Sequence, residues 1–469
     1  MGQVVTEEML KDMHDGIKEA EVMNENMRMH GTIDVPKNIP NETTVAAIQE
    51  ADAIAALRFK REQLIADAVE DGRKLVTIRV IDAIDDIPDA DLIKVATVEG
   101  WKVVVKAGEF KPGDFCVYFE VDSFLPLDDE RYAFLEKNAI TWNGIRGARL
   151  KTITLRKQRS QGLALPVSLF PEVQDYLGRD DLRDINFTGI LGIMKWEKPI
   201  SAQLAGTAKG SFPSFLQKSD QERCQNMVRS IFGYEKTFRP VPSAAALLPE
   251  EIEEAIKADR LCKIDGVLHI VHQPQASRDT QYEVTLKLDG SSMTVYRRGE
   301  GDKVEEGVCS RNLELKMEGN ENNSFVQMAN EGILQALRDA DVTDVALQGE
   351  LMGPGIQGNR ESLSFNRFFV YNVFDIKKGE YMKPGDRIEF LDKLNAEAAV
   401  RNSFRVEHVP ILHSNVTLAE LGIHNMDDLL KFAIGPSMHN SVREGLVFKA
   451  MDGSQQFKAI SNLYLEQEK

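Results

Sequence analysis

Cysteine is scarce in this chain of 469 residues: there are four, Cys116, Cys224, Cys262 and Cys309, and no two stand at C-x-x-C spacing. That argues against a zinc ribbon or a dithiol redox pair and fits a reduced, cytoplasmic setting. No run of 18 apolar residues occurs, so no membrane-spanning helix is expected. The N-terminus lacks the basic start and apolar middle of a secretory signal. Met1-Gly2 with Thr6 fits the bare myristoylation pattern, which is too short to carry weight. There is no G-x-x-x-x-G-K-[ST] phosphate loop. Positive charge is also short, with 57 Lys and Arg against 74 Asp and Glu and a net charge of −17. The overall basic footprint of a nucleic-acid binder is therefore missing. Residues 1–72 alone hold 15 acids and 7 bases, a balance of −8 that leaves −9 to the rest. Local clusters of bases, rather than the total, decide whether a polyanion is held.

What is present changes along the chain. Residues 1–72 read as helices around a breaker-rich linker with Pro36 and Pro40. Val45, Ile48, Ile54, Leu57 and Leu64 are spaced to share one face, which suggests either a packed helical appendage or a surface for a partner or for self-association. From Leu75 the pattern becomes short β-rich runs, KLVTIRVIDAI, DLIKVATVEG, WKVVVKAGEF and DFCVYFEVDSFL, divided by polar breakers. Such strands over residues 73–185 suggest a small closed barrel of the OB type. Lys151, Arg156, Lys157 and Arg159 give its later part a basic stripe, a candidate nucleic-acid contact or simply a solvated strand face. Residues 186–280 read as a connector and the start of the next domain, where Ser219-x-x-Glu222 is spaced as a capping box. His269 and His272 form an H-x-x-H with no third ligand nearby, more simply a strand or loop with two unrelated imidazoles than a metal pair. Residues 281–469 alternate strands, loops and a few helices, the expected catalytic domain.

The chemistry concentrates there. YEVTLKLDGSSMTVYRRG reads as strand, turn, strand, with Lys287 just before the turn. A lysine becomes a nucleophile when desolvation or nearby cations lower its pKa. A lone K-x-D-G is weak, but others follow in order: CSRNLELK with Arg311, VALQGELMGPGIQGNR with Glu350, FFVYNVFDI with Phe374, REGLVFKA with Glu444 and Lys449, and FKAISNLYL with Lys458. This is the motif series of the covalent nucleotidyltransferases. Attack on an α-phosphate needs cations on the phosphate oxygens, a role for Lys449 and Lys458. It needs a divalent metal on oxygen ligands such as Asp289 and Glu444. Glu350 suits a ribose and Phe374 a base. GPGIQG matches the dinucleotide glycine pattern literally, but Pro354 and a following strand make it a turn behind Glu350.

The blocks IKVATVEGWKVVVKAGEFKPGDFCVYFEVDSFLP, FPSFLQKSDQERCQN, KLDGSSMTVY and EGLVFKA resemble the Deinococcus-type RNA ligases, from about Leu75 to the C-terminus. The resemblance implies an α+β chain: a helical extension, an OB barrel, and a DNA-ligase-type (ATP-grasp-like) adenylation domain of antiparallel sheets with flanking helices. It implies that Lys287 takes AMP from ATP with Mg2+ or Mn2+, and that Arg311 contacts phosphate, ribose or the 5′-phosphate end. Glu350 would hold ribose, Phe374 would stack on adenine, Glu444 and Asp289 would stand at the metal, and Lys458 would hold the α-phosphate. The expected activity is sealing of 3′-hydroxyl and 5′-phosphate ends of RNA, in duplex nicks with ribonucleotides on the 3′-hydroxyl side. Two departures stand out: Ile460 replaces a second lysine in the last motif, with Lys449 as its substitute, and Leu286 occupies an often acidic position. The alternatives are a DNA ligase, a GTP-using capping enzyme, or a non-catalytic nucleic-acid-binding protein with a decayed transferase domain. The chain ends soon after Lys458, without the C-terminal OB domain of capping enzymes and many DNA ligases.

Overall fold

The computed structural model describes residues 42–70, 73–179, 181–197, 206–232, 237–240, 248–257, 261–264, 267–272, 280–401 and 404–467. The chain divides into two units, residues 1–60 and 61–469, each taken by itself. Most of the N-terminal arm read from the sequence lies outside the described residues. Within residues 1–72, what is described is the helix Glu42–Glu70. The expected apolar face is only partly realised. Ile54 and Leu57 are exposed, and the side chains of Val45 and Ile48 lie outside the described residues. Among its described side chains, those of the last turns, within the second unit, are packed inward: Leu64 and Ile65 pack against Phe124, Trp142 and Met194, and Ala68 enters a neighbouring core.

The second unit opens with ten strands: β1 Val76–Ile87, β2 Ala90–Val98, β3 Trp101–Lys106, β4 Phe115–Phe119, β5 Ser123–Pro126, β6 Ala139–Trp142, β7 Ile145–Arg149, β8 Ile153–Leu155, β9 Gln158–Ser160 and β10 Leu163–Pro166. The polar breakers do what their chemistry allows, with Asp89, Glu99 and Gly100 taking positive φ in the tight turns. β1 is long and irregular between Ile81 and Ala83. Its first half pairs with β4 and its second with β2, giving the order β10-β4-β1-β2-β3. A break of this kind bends a strand so that one sheet can wrap a core. Val76, Ile78, Val117, Phe119 and Leu165 fill that core. The barrel continues beyond residue 185. Phe187, Leu191 and Ile193 join the same core, and β11 (Met194–Lys195) pairs with β5.

β12 (Ala208–Ser211) and β13 (Glu222–Arg223) each extend a sheet of the following domain, and β14 (Thr237–Pro240), β15 (Leu261–Ile264) and β16 (Val267–His272) form a small sheet of their own. His269 and His272 lie on β16. Ser219-x-x-Glu222 does not begin an α-helix. Glu222 is in β13, its carboxylate accepts from the Arg223 N–H and the Asn226 amide, and a 3-10 turn follows at Cys224–Met227.

The remaining strands are β17 Tyr282–Lys287, β18 Ser291–Arg298, β19 Glu305–Cys309, β20 Leu313–Leu315, β21 Val345–Met352, β22 Arg367–Asp375, β23 Glu380–Tyr381, β24 Glu407–His408, β25 Ile411–Val416, β26 Gly445–Ala450 and β27 Gln456–Ile460. They build two sheets. One runs β12-β20-β19-β18-β21-β22-β23, with β24 beside β22; the other runs β13-β27-β26-β17-β25. Helices over 324–339 and Pro384–Val400 cover the first through Val326, Leu334, Leu337, Leu391 and Leu394. Met426–Phe432 covers the second through Met426, Leu429 and Leu430. Arg387 and Glu283 form a fully buried ion pair at 2.5 Å, and Arg387 also donates to His408 Nε2 at 3.0 Å.

Candidate active site

β17 runs between β25 and β26, and its last residue, Lys287, stands opposite Gly445. The chain then turns sharply into β18 of the other sheet. Glycine is required in this turn because a Cβ on Gly290 would come within 2.5 Å of the Leu351 carbonyl oxygen. That close approach lets the Gly290 N–H donate to Glu350 Oε1 at 3.0 Å. Lys287 Nζ donates to Glu444 Oε1 at 2.6 Å, and Glu444 Oε2 is buried without a partner. These groups line a cleft of about 710 Å³ between the two sheets and the barrel.

Seven of the eight nucleotide residues expected from the sequence line this cleft, with Lys449 at its border. Lys287, Asp289, Arg311, Glu350, Glu444 and Lys458 all line the cleft. Lys458 Nζ is 2.7 Å from Asp220 Oδ1, and Arg311 is 3.0 Å from Asp220 Oδ2. Asp289 accepts from the Tyr464 hydroxyl at 3.0 Å, and Arg360 stands 3.7 Å from the same oxygen. The field of the site is uneven. Burial pulls the Lys287 ammonium down, but Glu444, then Glu350 and Asp289, outweigh it and hold its pKa above the usual lysine value. The simple expectation of a depressed lysine is thus not met in the nucleotide-free protein. Burial pushes the Glu350 carboxyl up to about 8, and burial lowers the Lys458 ammonium to about 8 against the pull of Asp220. Burial alone would raise Asp220, yet Lys458 and Arg311 hold it far below the carboxylate range.

Two expected residues behave otherwise. Phe374 does not line the cleft. It shares a sheet face with Gln348 and Glu350, but Phe215, Leu216 and Tyr381 roof that end, and Phe374 is 3% exposed among them. The aromatic residue of β22 that reaches the cleft is Tyr371. It is the extra residue of a bulge, since Gly349 pairs with Val370 and Gln348 with Asn372. Lys449 borders the cleft, but its ammonium donates to the Tyr371 carbonyl and, at 2.5 Å, to Asn372 Oδ1. Burial, then Arg387, drives its pKa well down. It braces β26 against β22 and is not free to serve a phosphate as a second lysine.

The sequence reading missed the contribution of the barrel and connector. Arg73, Arg149, Lys195 and Trp196 line the cleft from the barrel side, with the Arg149 guanidinium stacked 3.7 Å from the Trp196 ring centroid. Arg223 sits beside Lys458 in register, and its Nε and Nη1 are buried without partners, which suits an anion. The signal is the block FPSFLQKSDQERCQN, which carries Lys218, Asp220 and Arg223. Lys151, Arg156, Lys157 and Arg159 lie elsewhere on the barrel. Arg156 and Lys157 form the exposed turn between β8 and β9, Lys151 is exposed, and Arg159 is paired with Glu466 on the C-terminal helix Asn462–Gln467.

An OB-fold domain model matches residues 75–167, and an RNA ligase model matches residues 280–461. Among solved structures, a ligand-free Asp→Ala variant of Naegleria gruberi RNA ligase is 39% identical, covering 84% of this chain and 98% of that one with a TM-score of 0.65. The chain belongs to the RNA ligase family. A Lys→Ala variant of the Naegleria ligase with ATP and manganese is 40% identical, covering 84% of this chain and 99% of that one with a TM-score of 0.65. The Naegleria ligase with pyrophosphate is 39% identical over 84% of this chain and 99% of that one, with a TM-score of 0.63. No match was found among curated protein sequences. Among the described residues of this RNA ligase, no helix is long and apolar enough to cross a membrane.

Proposed function

We propose that this RNA ligase uses ATP to join 3′-hydroxyl and 5′-phosphate ends through a lysyl-AMP on Lys287. The observation that carries the reading is the Lys287 amine, 2.6 Å from Glu444, in a cleft that also holds Lys458, Arg223 and Arg311. The neutral amine attacks the α-phosphorus, a P–N bond forms, and the bond to pyrophosphate breaks. Lys458 and Arg223 are placed side by side to take the charge on the phosphate oxygens and the departing pyrophosphate. An oxygen of the 5′-phosphate end then attacks the AMP phosphorus, the P–N bond breaks, and Lys287 regains a proton. The 3′-hydroxyl finally attacks the activated 5′-phosphate and AMP leaves. Glu350, fixed by Gly290, faces the position of the ribose.

A divalent cation, Mg2+ or Mn2+, fits Glu444 and Asp289, because Glu444 Oε2 is a buried oxygen without a partner. Among the described residues no three acidic, histidine or cysteine side chains gather to hold a metal alone. Phosphate oxygens and water must therefore complete the shell, as such hard cations prefer. When bound, the ion supplies neutralisation of Glu444 and of the phosphates, which frees the Lys287 ammonium to give up its proton. The exposed Lys151, Arg156 and Lys157, with Arg149 and Lys195 nearer the cleft, favour a nucleic acid laid across the barrel. We assign nicked duplexes with ribonucleotides on the 3′-hydroxyl side as the substrate.

The test is label transfer from α-labelled ATP to the protein with a divalent metal, native against Lys287→Ala. An acid-stable adduct on the native protein alone is expected. Label taken from GTP instead would favour a capping-type transferase, and no label from either would remove the enzyme reading. Competition between RNA and DNA strands at the 3′-hydroxyl side then decides the substrate.

A further inference from the structure

Gln348 is a polar group of the cleft that the chemistry above leaves idle. Gln348 lies two residues before Glu350 on β21, so both project from the same face of the sheet. Two residues of strand span about 6.6 Å, comparable to the reach from ribose hydroxyls to the six-membered ring of a purine. Gln348 borders the cleft with Thr294, its partner in register, and is 1% exposed. Its Nε2 donates to the Gln217 carbonyl oxygen at 2.7 Å. The Tyr381 hydroxyl donates to the same oxygen at 2.7 Å. A carbonyl can only accept, so the amide is held in one orientation and Oε1 must be the acceptor that faces away. That Oε1 is buried and has no partner.

The neighbouring groups are already committed. Asn372 Nδ2 donates to Ser219 Oγ at 2.7 Å, its Oδ1 accepts from Lys449 at 2.5 Å, and Ser292 and Tyr371 share a hydrogen bond at 3.1 Å. A buried acceptor left unpaired is costly and selects a ligand that brings a donor. Adenine presents an exocyclic N–H2 on its six-membered ring. Guanine and hypoxanthine present a carbonyl oxygen there, which would set two acceptors against each other.

Resting on the nucleotide reading above, we propose that Gln348 is the residue that selects adenine, its Oε1 accepting from the exocyclic amine. The test compares the rate of protein labelling by ATP, by purine riboside triphosphate (hydrogen in place of the amine), by ITP and by GTP. The native enzyme should prefer ATP to purine riboside triphosphate by about 10- to 100-fold, the expected effect of one buried hydrogen bond, and should reject ITP and GTP at least as strongly. Gln348→Met, similar in shape but without an acceptor, should narrow the ratio between ATP and purine riboside triphosphate to within about threefold. Gln348→Glu, neutral and donating its O–H to the Gln217 carbonyl as Nε2 does, keeps the acceptor in place and should retain the preference. Equal use of ATP and purine riboside triphosphate by the native enzyme overturns the proposal even if no variant folds. So does an unchanged ratio in Gln348→Met, or an equal fall in rate for all nucleotides in both variants. Labelling of native protein by none of the four sinks the ligase reading itself, a result distinct from labelling without discrimination.

Discussion

Replacing Glu350 by glutamine should stabilise the nucleotide-free protein in alkali while destroying its activity. The carboxyl is raised from its ordinary 4.5 to about 8, chiefly by burial. The sign follows from linkage. A group protonated more readily in the folded state favours folding below the unfolded pKa, and that contribution is lost as pH rises through the folded one. At pH 5 the carboxyl is neutral in the folded protein, so the substitution changes little. At pH 9 it is ionised and poorly solvated, and glutamine removes that burden while its own oxygen can still accept from the Gly290 N–H. At about 1.4 kcal/mol for each pH unit, the rise sets an upper bound of about 5 kcal/mol. Solvent relaxation around a partly exposed group reduces this to about 2 kcal/mol, or a few degrees in Tm. The assay is the thermal midpoint of native and Glu350→Gln proteins at pH 5 and pH 9, without nucleotide or metal. A difference between the two proteins that is the same at both pH values, or a variant less stable at pH 9, would refute the reasoning.

Three further outcomes follow from the same geometry. Label transfer should rise with pH as Lys287 loses its proton and level off above about pH 8, where loss of the Lys458 charge offsets further deprotonation of Lys287. More divalent metal should move the rising limb to lower pH, and an immobile limb would count against Glu444 as the group that holds the proton. Arg387→Leu leaves Glu283 buried and unpaired and should cost about 3–5 kcal/mol in denaturant titration; a loss below about 1 kcal/mol would show that the pair does not matter. Phe374→Ala should cost about 3–5 kcal/mol of stability through its cavity, while the folded variant keeps its labelling rate within about threefold. A folded variant unable to label would return Phe374 to the nucleotide site.

The parts of this molecule that were legible in advance are those whose cause is local. Alternating Val, Ile and Phe with polar breakers announced the barrel strands, and the positive φ of Asp89 and Glu99 shows why those breakers stand where they do. Lys287, Glu350, Glu444 and Lys458 line one cleft, and each lies in a strand or turn segment whose order along the chain is itself a pattern. Phe374 misled because β-alternation puts it on the correct face, and only the packing of Phe215 and Leu216, from far upstream, closes that end. Lys449 misled for a related reason, since its destination, the Tyr371 carbonyl, depends on a bulge that no local propensity signals. Asp220 and Arg223 stand in a conspicuous block, but their role depends on a parallel pairing with β27, the last of the described strands. Long-range pairings of this kind leave no periodicity to read.

That pairing also sets when the protein can become an enzyme during its own synthesis. Residues 222 and 223 emerge from the ribosome long before their partners Phe457 and Lys458. Until those arrive, Asp220 has no lysine to hold and the β13 edge stays open. A nascent chain, or one cut short before Lys458, would carry the nucleophile and most of both sheets and still have an unfinished phosphate cradle. Chemical competence is thus deferred until the strand that carries Lys458 has been made, and a fragment begun at residue 281 would lack the opposite half of the same seam.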